Sequence, residues 1–288
     1  MRVSCCLAVL LVSSGCVYSQ EVHGRPQFME SGVVEHHGTF GRVKANDPRP
    51  LLQAIAAIRE EYGLVINYED PPFDSEFDLV DDTDPNWRAS HPRSKGVWRV
   101  AGGAFQSDYP EAATSVPSSR QLGNLLNKVV TDYNRSGNPG MFVVRMESAS
   151  RYSIIGVSKR DSKGNPQQVT SLLDTPITLP SERRTAVETL LLILTTVSAT
   201  SGVKLLPLMV PTNAMQATDV TVGGTNVPAR ALLLRTLGAA NARRTLMWDM
   251  IFDPDPNTNA YLFSVQVAVQ NSVDAAGKPT KRPMDHIE

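Results

Sequence analysis

The sequence predicts an α+β protein made of two tandem βαββαββ units, each a small mixed sheet with two helices on one face. Two observations carry this prediction. Both halves of the chain show the same order of strand and helix signals, as a repeated unit would. The last two predicted strands, 246–252 and 261–269, place apolar residues at every second position, so that each has one fully apolar side. This alternation is typical of an antiparallel sheet that is covered on one face.

The first unit spans residues 38–160. A helix is predicted from Pro50 onward, because apolar residues at helical spacing form one stripe, and Gly63 ends it. A second helix opens within 115–119, where proline and serine residues favour a helix start. The predicted strands are 39–44, 64–68, 97–105, 141–147 and 152–158.

The second unit spans residues 172–270 and repeats this order. Its first helix has Ser181 as the predicted N-cap, carries an apolar stripe and ends at Gly202. Its second helix opens at Pro228. The predicted strands are 176–179, 203–208, 220–227, 246–252 and 261–269. Because each unit has two helices and its own strands, we expect residues 172–270 to fold alone.

Residues 71–96 form an insertion that the second unit lacks. The segment has no hydrophobic period and many turn-forming residues, which predicts an exposed loop. Trp87 lies in it among prolines, and exposed aromatic side chains often mark contact sites, so Trp87 is a candidate binding residue. Residues 161–174 are a linker between the units, and the polar segment 271–288 is expected to be a disordered tail.

The N-terminus predicts export. Arg2 is followed by a short apolar run and by small residues at a cleavage site, so residues 1–19 read as a signal peptide and the mature chain begins at Gln20. Processing at Cys16 is the alternative, because the residues before it resemble a lipoprotein box. The protein is therefore expected to be periplasmic or secreted, or anchored to a membrane through a lipidated Cys16.

Composition excludes several functions. The formal net charge is −1, so nothing in the sequence attracts nucleic acid through its phosphates. All three cysteines lie within the predicted signal segment, which leaves the mature chain without thiolate ligands or a cysteine nucleophile. The apolar run 186–199 is too short to cross a bilayer and contains Glu188, so no transmembrane span is predicted.

Three groups of residues have side chains suited to chemistry, and for each the sequence favours a structural role. His36 and His37 are adjacent on a strand and point to opposite faces, which suits a shared metal poorly. The acidic loop 74–84 has the oxygen donors that calcium prefers but lacks the glycine of the known calcium loop, so a solvated loop is favoured and calcium stays open. Asp249, Asp253 and Asp255 have no nucleophile or base beside them in the sequence. No catalytic residue and no cofactor are predicted.

Two segments carry a resemblance to a known family. The stretch from Pro50 to Tyr68, and the stretch from Ser201 through Val227-Pro228 to Leu233, resemble the secretin and TonB N-terminal short domain. In that family a helix ends at glycine, an aliphatic strand follows, a second strand leads into a helix start of the Val-Pro type, and two strands close the unit. The resemblance implies a periplasmic protein-interaction module of a Gram-negative bacterium that is not an enzyme.

We therefore expect a non-catalytic binding module of the bacterial cell envelope that contacts a protein partner. The segment 261–269 contains no proline and no charged residue, so an edge strand there would pair with a partner strand or with a second copy of the chain. Two alternatives stay open: a small-ligand or polysaccharide-binding protein that uses residues 71–96, and a secreted hydrolase of unrecognised type. The candidate binding residues are Trp87, Tyr261, Phe263 and Val265.

Overall fold

The chain folds around one central sheet to which both halves of the sequence contribute strands. The structure, a computed structural model, describes residues 32–93, 95–111, 118–240, 244–255 and 258–284. These residues form helices and several sheets, which confirms the predicted α+β class. The predicted signal peptide and Cys16 lie outside the described residues.

Helices of the first half begin and end at residues suited to those places. Helix α1 (Pro50–Tyr62) starts with proline and ends at Gly63, whose φ of 59° is left-handed and favours glycine. Helix α3 (Ser119–Arg135) starts at Ser118, which forms a capping box with Gln121. The other elements of this half are β1 (Val33–His36), β2 (Phe40–Ala45), β3 (Val65–Glu69), β4 (Leu79–Asp81), α2 (Pro85–Ser90), β5 (Trp98–Val100), β6 (Phe105–Pro110), β7 (Met141–Ser148) and β8 (Arg151–Arg160).

The first long helix of the second half, α4 (Ala186–Ser201), begins later than the sequence predicts. Ser181 lies within a strand, and Thr185 is the N-cap: it forms a capping box with Glu188. The reason is that this strand continues to Thr185, where it still pairs with a neighbouring strand at Asp219. The elements of this half are β9 (Pro166–Gln168), a short 3-10 helix (Leu172–Asp174), β10 (Pro176–Thr185), α4, β11 (Leu205–Met209), α5 (Thr212–Gln216), β12 (Asp219–Pro228), α6 (Ala229–Ala239), β13 (Leu246–Asp253), β14 (Ala260–Val267), β15 (Val269–Val273) and β16 (Pro279–Pro283).

The central sheet has the strand order β11-β14-β13-β3-β8-β7, and β9 adds to β8. Within the second half, β11 is parallel to β14 and β14 is antiparallel to β13. Within the first half, β3 is parallel to β8 and β8 is antiparallel to β7. The two halves meet where β13 pairs with β3 in parallel, with Asp249 opposite Tyr68 and Met250 opposite Glu69.

Each half also has strands outside the central sheet, which the prediction of one small sheet per unit missed. In the first half β2 pairs with β6 and β1, and in the second half β10 pairs with β12. Helices α1 and α3 contact both β2–β6 and the central sheet, and α4 and α6 contact both β10–β12 and the central sheet. The helices therefore lie between two sheets, which is why they are buried on more than one side.

The helices of the two halves lie on opposite faces of the central sheet. Successive side chains of a strand point to opposite faces. Asp249 on β13 bonds Arg59 of α1. Glu69 lies opposite Met250, the residue after Asp249, and therefore points to the other face, where it bonds Arg230 of α6. Helix α1 thus covers one face at the junction and α6 covers the other.

Two segments expected to be loose have defined structure. In the insertion 71–96 the strand β4 pairs antiparallel with β5, which directly follows the insertion, and Phe73, only 1% exposed, joins the core. The tail expected to be disordered instead contains the hairpin β15–β16, which lies against α1, where Lys281 forms an ion pair with Glu60. Both segments have apolar or charged side chains that gain partners only in the assembled fold. Residues 285–288 of the tail lie outside the described residues.

None of the helices in the described ranges has the length and apolar character needed to cross a membrane. Helix α4, which covers the apolar run of the sequence, is packed in the core through residues such as Leu190 and Leu194.

Candidate functional site

The outermost strands of the central sheet, β7 and β11, carry exposed apolar side chains. In the part of the chain that the structure describes, no strand pairs with the outer side of either one. Exposed apolar side chains on a strand with free backbone groups are what a partner strand binds. The residues concerned, each between 40% and 67% exposed, are Met141, Val143 and Met146 on β7, and Leu206, Leu208 and Met209 on β11. We call these two strands the outer edges.

The first outer edge, β7, is held in place from its inner side. Phe142 is buried and packs against Tyr68 and Tyr133, so alternation turns Val143 to the opposite, open face. Arg145 is paired with Asp174 at 2.9 Å, so its charge is already partly neutralised. Val143 and Met146, three positions apart, therefore expose apolar side chains on opposite faces of β7.

The second outer edge, β11, follows the glycine that ends α4. The backbone N–H of Tyr261 donates to the carbonyl of Lys204, so alternation turns the backbone groups of Leu205 and Pro207 toward the free side. Because proline has no N–H, Pro207 removes one donor from that side. This edge is bounded by exposed Leu206 and Leu208 and offers fewer hydrogen bonds than β7.

Buried charged side chains concentrate where the two halves meet. Arg230 donates to both oxygens of Glu69, with 2.8 Å between Nη2 and Oε2, and Ser171 also donates to Glu69. Burial lowers the pKa of Arg230, but the Glu69 carboxylate more than offsets this, so the pKa is raised. Burial likewise opposes ionisation of Asp174, yet the guanidinium groups of Arg145 and Arg230 hold its pKa below the ordinary value. Arg230 and Asp174 are therefore both charged at neutral pH.

Two further buried pairs lie at the junction: Arg59–Asp249 joins the halves directly, and Arg49–Asp70, both of the first half, bonds the backbone of Phe252 in the second. Arg59 of α1 donates to Asp249 of β13 at 2.6 Å. Arg49 donates to Asp70 at 2.9 Å, and Asp70 in turn accepts from the backbone N–H of Phe252 at 3.1 Å. Burial raises the pKa of the Asp70 carboxyl although Arg49 lies beside it.

The chemistry of this junction is that of paired, enclosed charges. Each carboxylate faces a guanidinium group or a backbone donor, and Glu69 is fully buried. A general acid or base must reach a substrate proton within hydrogen-bond distance, which an enclosed pair cannot do without opening. The arrangement therefore serves to join the halves. The sequence prediction missed these buried charged residues. Glu69 and Asp70, two acidic residues directly after the predicted strand 64–68, were the signal that could have located them.

The predicted edge strand 261–269 is not an edge. Tyr261, Phe263 and Val265 lie on β14, which is paired on both sides, and all three are buried. The prediction failed because β11 adds to β14 in parallel, and a parallel neighbour distant in sequence leaves no local signal. Trp87, 42% exposed, lies on α2 outside the central sheet and stacks on His91.

Residues considered as metal ligands are used in ion pairs and caps. His36 bonds Glu111 and Glu61, and His37 bonds Glu35. In the acidic loop, Asp84 caps α2. In the same loop Asp74 pairs with Lys159, Asp81 with Arg88, and Asp78 accepts from the backbone N–H of Arg160. Among the described residues no group of three or more His, Cys, Asp and Glu side chains is placed to hold a metal ion.

A cleft with a volume of about 780 Å³ lies beside α5 and the ends of β13 and β14. Its walls include Val210, Ala214, Leu246 and Val267, so it is mostly apolar. A smaller cleft of about 250 Å³ is lined by Asp82 of the insertion and by Trp98 and Arg99 of β5. Clefts of several hundred Å³ are the size that holds small ligands.

Comparison with protein-family models, with curated proteins and with solved structures finds no match to this chain.

Proposed function

We propose that the chain is an exported, non-catalytic protein-interaction module of the bacterial cell envelope, which binds a protein partner along the outer edges of its central sheet. The observation that carries the proposal is the set of exposed apolar side chains on both outer edges. Soluble monomers seldom leave such strands open, and natural proteins blunt them or use them for binding.

The two halves are proposed to be copies of one unit. In each half the strand before the first long helix pairs with the strand before the second long helix. The strand after the first long helix is parallel to the last long strand, and the last two long strands form an antiparallel hairpin. This shared set of pairings supports the repeat. It agrees also with the resemblance to the secretin and TonB short domain, in which a helix ends at glycine and two strands close the unit.

A non-catalytic role is supported by the use of the buried charges. The charged groups that the fold brings together join the two halves, and the acids of the insertion pair with cations or cap helices. A small-ligand-binding function is the second candidate, and the apolar cleft beside α5 favours it. A hydrolase has no observation in its favour.

The proposal is tested by cross-linking the exported, tagged protein in cells and identifying the proteins that are captured with it. Val143→Lys places a charge on the β7 edge and is expected to abolish capture of the bound protein. Val33→Lys is the matched control, because Val33 is 58% exposed but lies on β1, outside the central sheet. Equal capture by wild type and Val143→Lys, both stably folded, would refute binding along β7. Heat stabilisation by small ligands without any captured protein would support the second candidate.

Export itself is measured by intact mass. A mature chain that begins at Gln20 supports the signal-peptide proposal, and a chain that begins at lipidated Cys16 supports a membrane-anchored form. An uncleaved Met1 would contradict both.

A further inference from the structure

We propose that the partner of the outer edges is a second copy of this chain, and that copies join head to tail through β7 of one and β11 of the next, in the way β13 joins β3 within one chain. The inference rests on the proposed function, because it takes the outer edges as the binding surface. It is carried by the junction between the halves, which is an observed example of the same two strand types in contact.

Strand directions allow this contact. Starting from β3, strands β8 and β13 run in the same direction, and β7 and β14 run in the opposite one. Because β11 is parallel to β14, it runs in the same direction as β7. A second copy placed beside the first by translation therefore brings its β11 parallel to β7, as β3 is parallel to β13 at the junction.

The register is fixed by two equivalent tyrosines. Ile66 and Leu205 are each the third residue after the glycine that ends the preceding helix. Ile66 pairs with Tyr152 on β8, and Leu205 pairs with Tyr261 on β14. Tyr152 and Tyr261 thus hold the same place in their halves.

Counting from these tyrosines identifies the residues that would meet. Val143 and Asp249 each pair with the third residue after the tyrosine, so Val143 takes the place on β7 that Asp249 has on β13. Pro207 and Tyr68 each pair with the second residue after it, so Pro207 takes the place on β11 that Tyr68 has on β3. Since Asp249 lies opposite Tyr68, Val143 is expected opposite Pro207 of the next copy.

The side chains at these places are complementary. At the junction Asp249 is bound by Arg59, four residues before the helix-ending glycine. On the outer edges Val143 takes the place of Asp249, and Ser198, four residues before Gly202, takes the place of Arg59. Neither the acid nor the base of the junction pair is therefore present there. Val143 and Pro207 of the next copy are both uncharged and can be buried against each other without leaving an unpaired charge.

A contact between two different surfaces repeats from copy to copy and does not stop at a dimer. Sedimentation velocity of the purified exported protein is expected to show a concentration-dependent series of species larger than two chains. Val143→Lys and Leu208→Lys each damage one edge, so each variant alone is expected to be monomeric. Mixed together, they are expected to form a complex of two chains and nothing larger, because one intact β7 and one intact β11 remain.

Two controls complete the experiment. Val273→Lys, at a residue 68% exposed on β15, is expected to associate like wild type. Pro207→Val restores a backbone N–H on the free side of β11 and is expected to tighten association roughly fivefold, the worth of one net hydrogen bond. This variant tests the contact without adding a charge that could unfold the chain.

The proposal is overturned if wild type is monomeric, if Val143→Lys or Leu208→Lys still associates, if their mixture forms no two-chain complex, or if Pro207→Val does not tighten association. A monomeric wild type whose captured partner is lost in Val143→Lys would refute the second copy and leave the proposed function standing. Association as described together with no captured foreign protein would support self-assembly as the purpose of the edges.

Discussion

Individual charged residues hold the two halves of this molecule together. Arg230 and Glu69 come from different halves and are almost fully buried. Moving the two charges out of water costs roughly several kcal/mol for each charge. Their mutual attraction and their hydrogen bonds offset most of this cost. Such a pair adds little net stability when intact, but it strongly disfavours any arrangement in which one charge loses its partner.

Arg230→Ala is expected to lower the free energy of unfolding by about 3–5 kcal/mol, because it leaves the Glu69 carboxylate buried without its main partner. Urea denaturation measures the change. Arg183→Ala is the control: its pair with Asp219 is exposed, so a loss of at most about 1 kcal/mol is expected. A loss in Arg230→Ala as small as in the control would show that Glu69 is not enclosed.

His36 is expected to make stability depend on pH. The hydrogen bond to Glu111 raises the pKa of His36, and Glu61 adds to this. Because the pKa of His36 is raised in the folded state, its contribution to folding stability is complete below the ordinary pKa of 6.5. This contribution is lost as the pH rises through the pKa of the folded state. The difference in Tm between wild type and His36→Gln should therefore be largest near pH 5.5 and smallest above about pH 8. A difference that grows with pH would contradict this assignment, and His37→Gln is the control.

At the scale of the element, the start of α4 shows how pairing between strands decides a helix boundary. The sequence offers hydroxyl residues at both Ser181 and Thr185. Pairing of β10 with β12 keeps the chain extended as far as Thr185, and there Glu188 completes the capping box. Only the second position has the geometry of an N-cap.

Thr185→Ala is expected to cost about 1 kcal/mol of stability, because the backbone N–H of Glu188 loses its acceptor. Ser181→Ala, within β10, is expected to change stability by less than about 0.5 kcal/mol. Thermal unfolding of the two variants compares them directly. The reverse order would mean that the helix begins where the sequence pattern alone places it.

At the scale of the whole molecule, the two halves share one sheet and one hydrophobic cluster. The cluster includes Ile66 and Leu126 of the first half together with Leu232 and Trp248 of the second. Small sheets lie outside the helices on either side, so the layers run sheet, helix, sheet, helix, sheet. The proposed repeat and the continuous core are compatible, because the two halves join edge to edge through β13 and β3.

The fragment 172–270 is expected to be less stable alone than within the full chain, because Asp249 loses Arg59 and Arg230 loses Glu69. Its unfolding midpoint should lie at a lower denaturant concentration than that of the full chain. Adding the separate fragment 38–160 should raise this midpoint again, because both ion pairs are restored. A fragment as stable as the full chain would show that each half is an independent domain.

The sequence by itself determined the local features of this protein. Apolar stripes and helix-ending glycines located α1 and the end of α4, and period-two alternation located β13 and β14. These signals are local, because a helix face or a strand face is set by residues a few positions apart. The α+β class followed from their order.

Only the tertiary structure decided which strands are neighbours. Nothing near residues 260–267 in the sequence shows that β11 covers one side of β14, or that β13 pairs with β3 about 180 residues away. The buried ion pairs depend on this pairing, since Arg59, Glu69 and Arg230 meet their partners only when the two halves share a sheet. Long-range pairing is set by packing and by the entropy of closing long loops, and neither leaves a pattern in a short stretch of sequence.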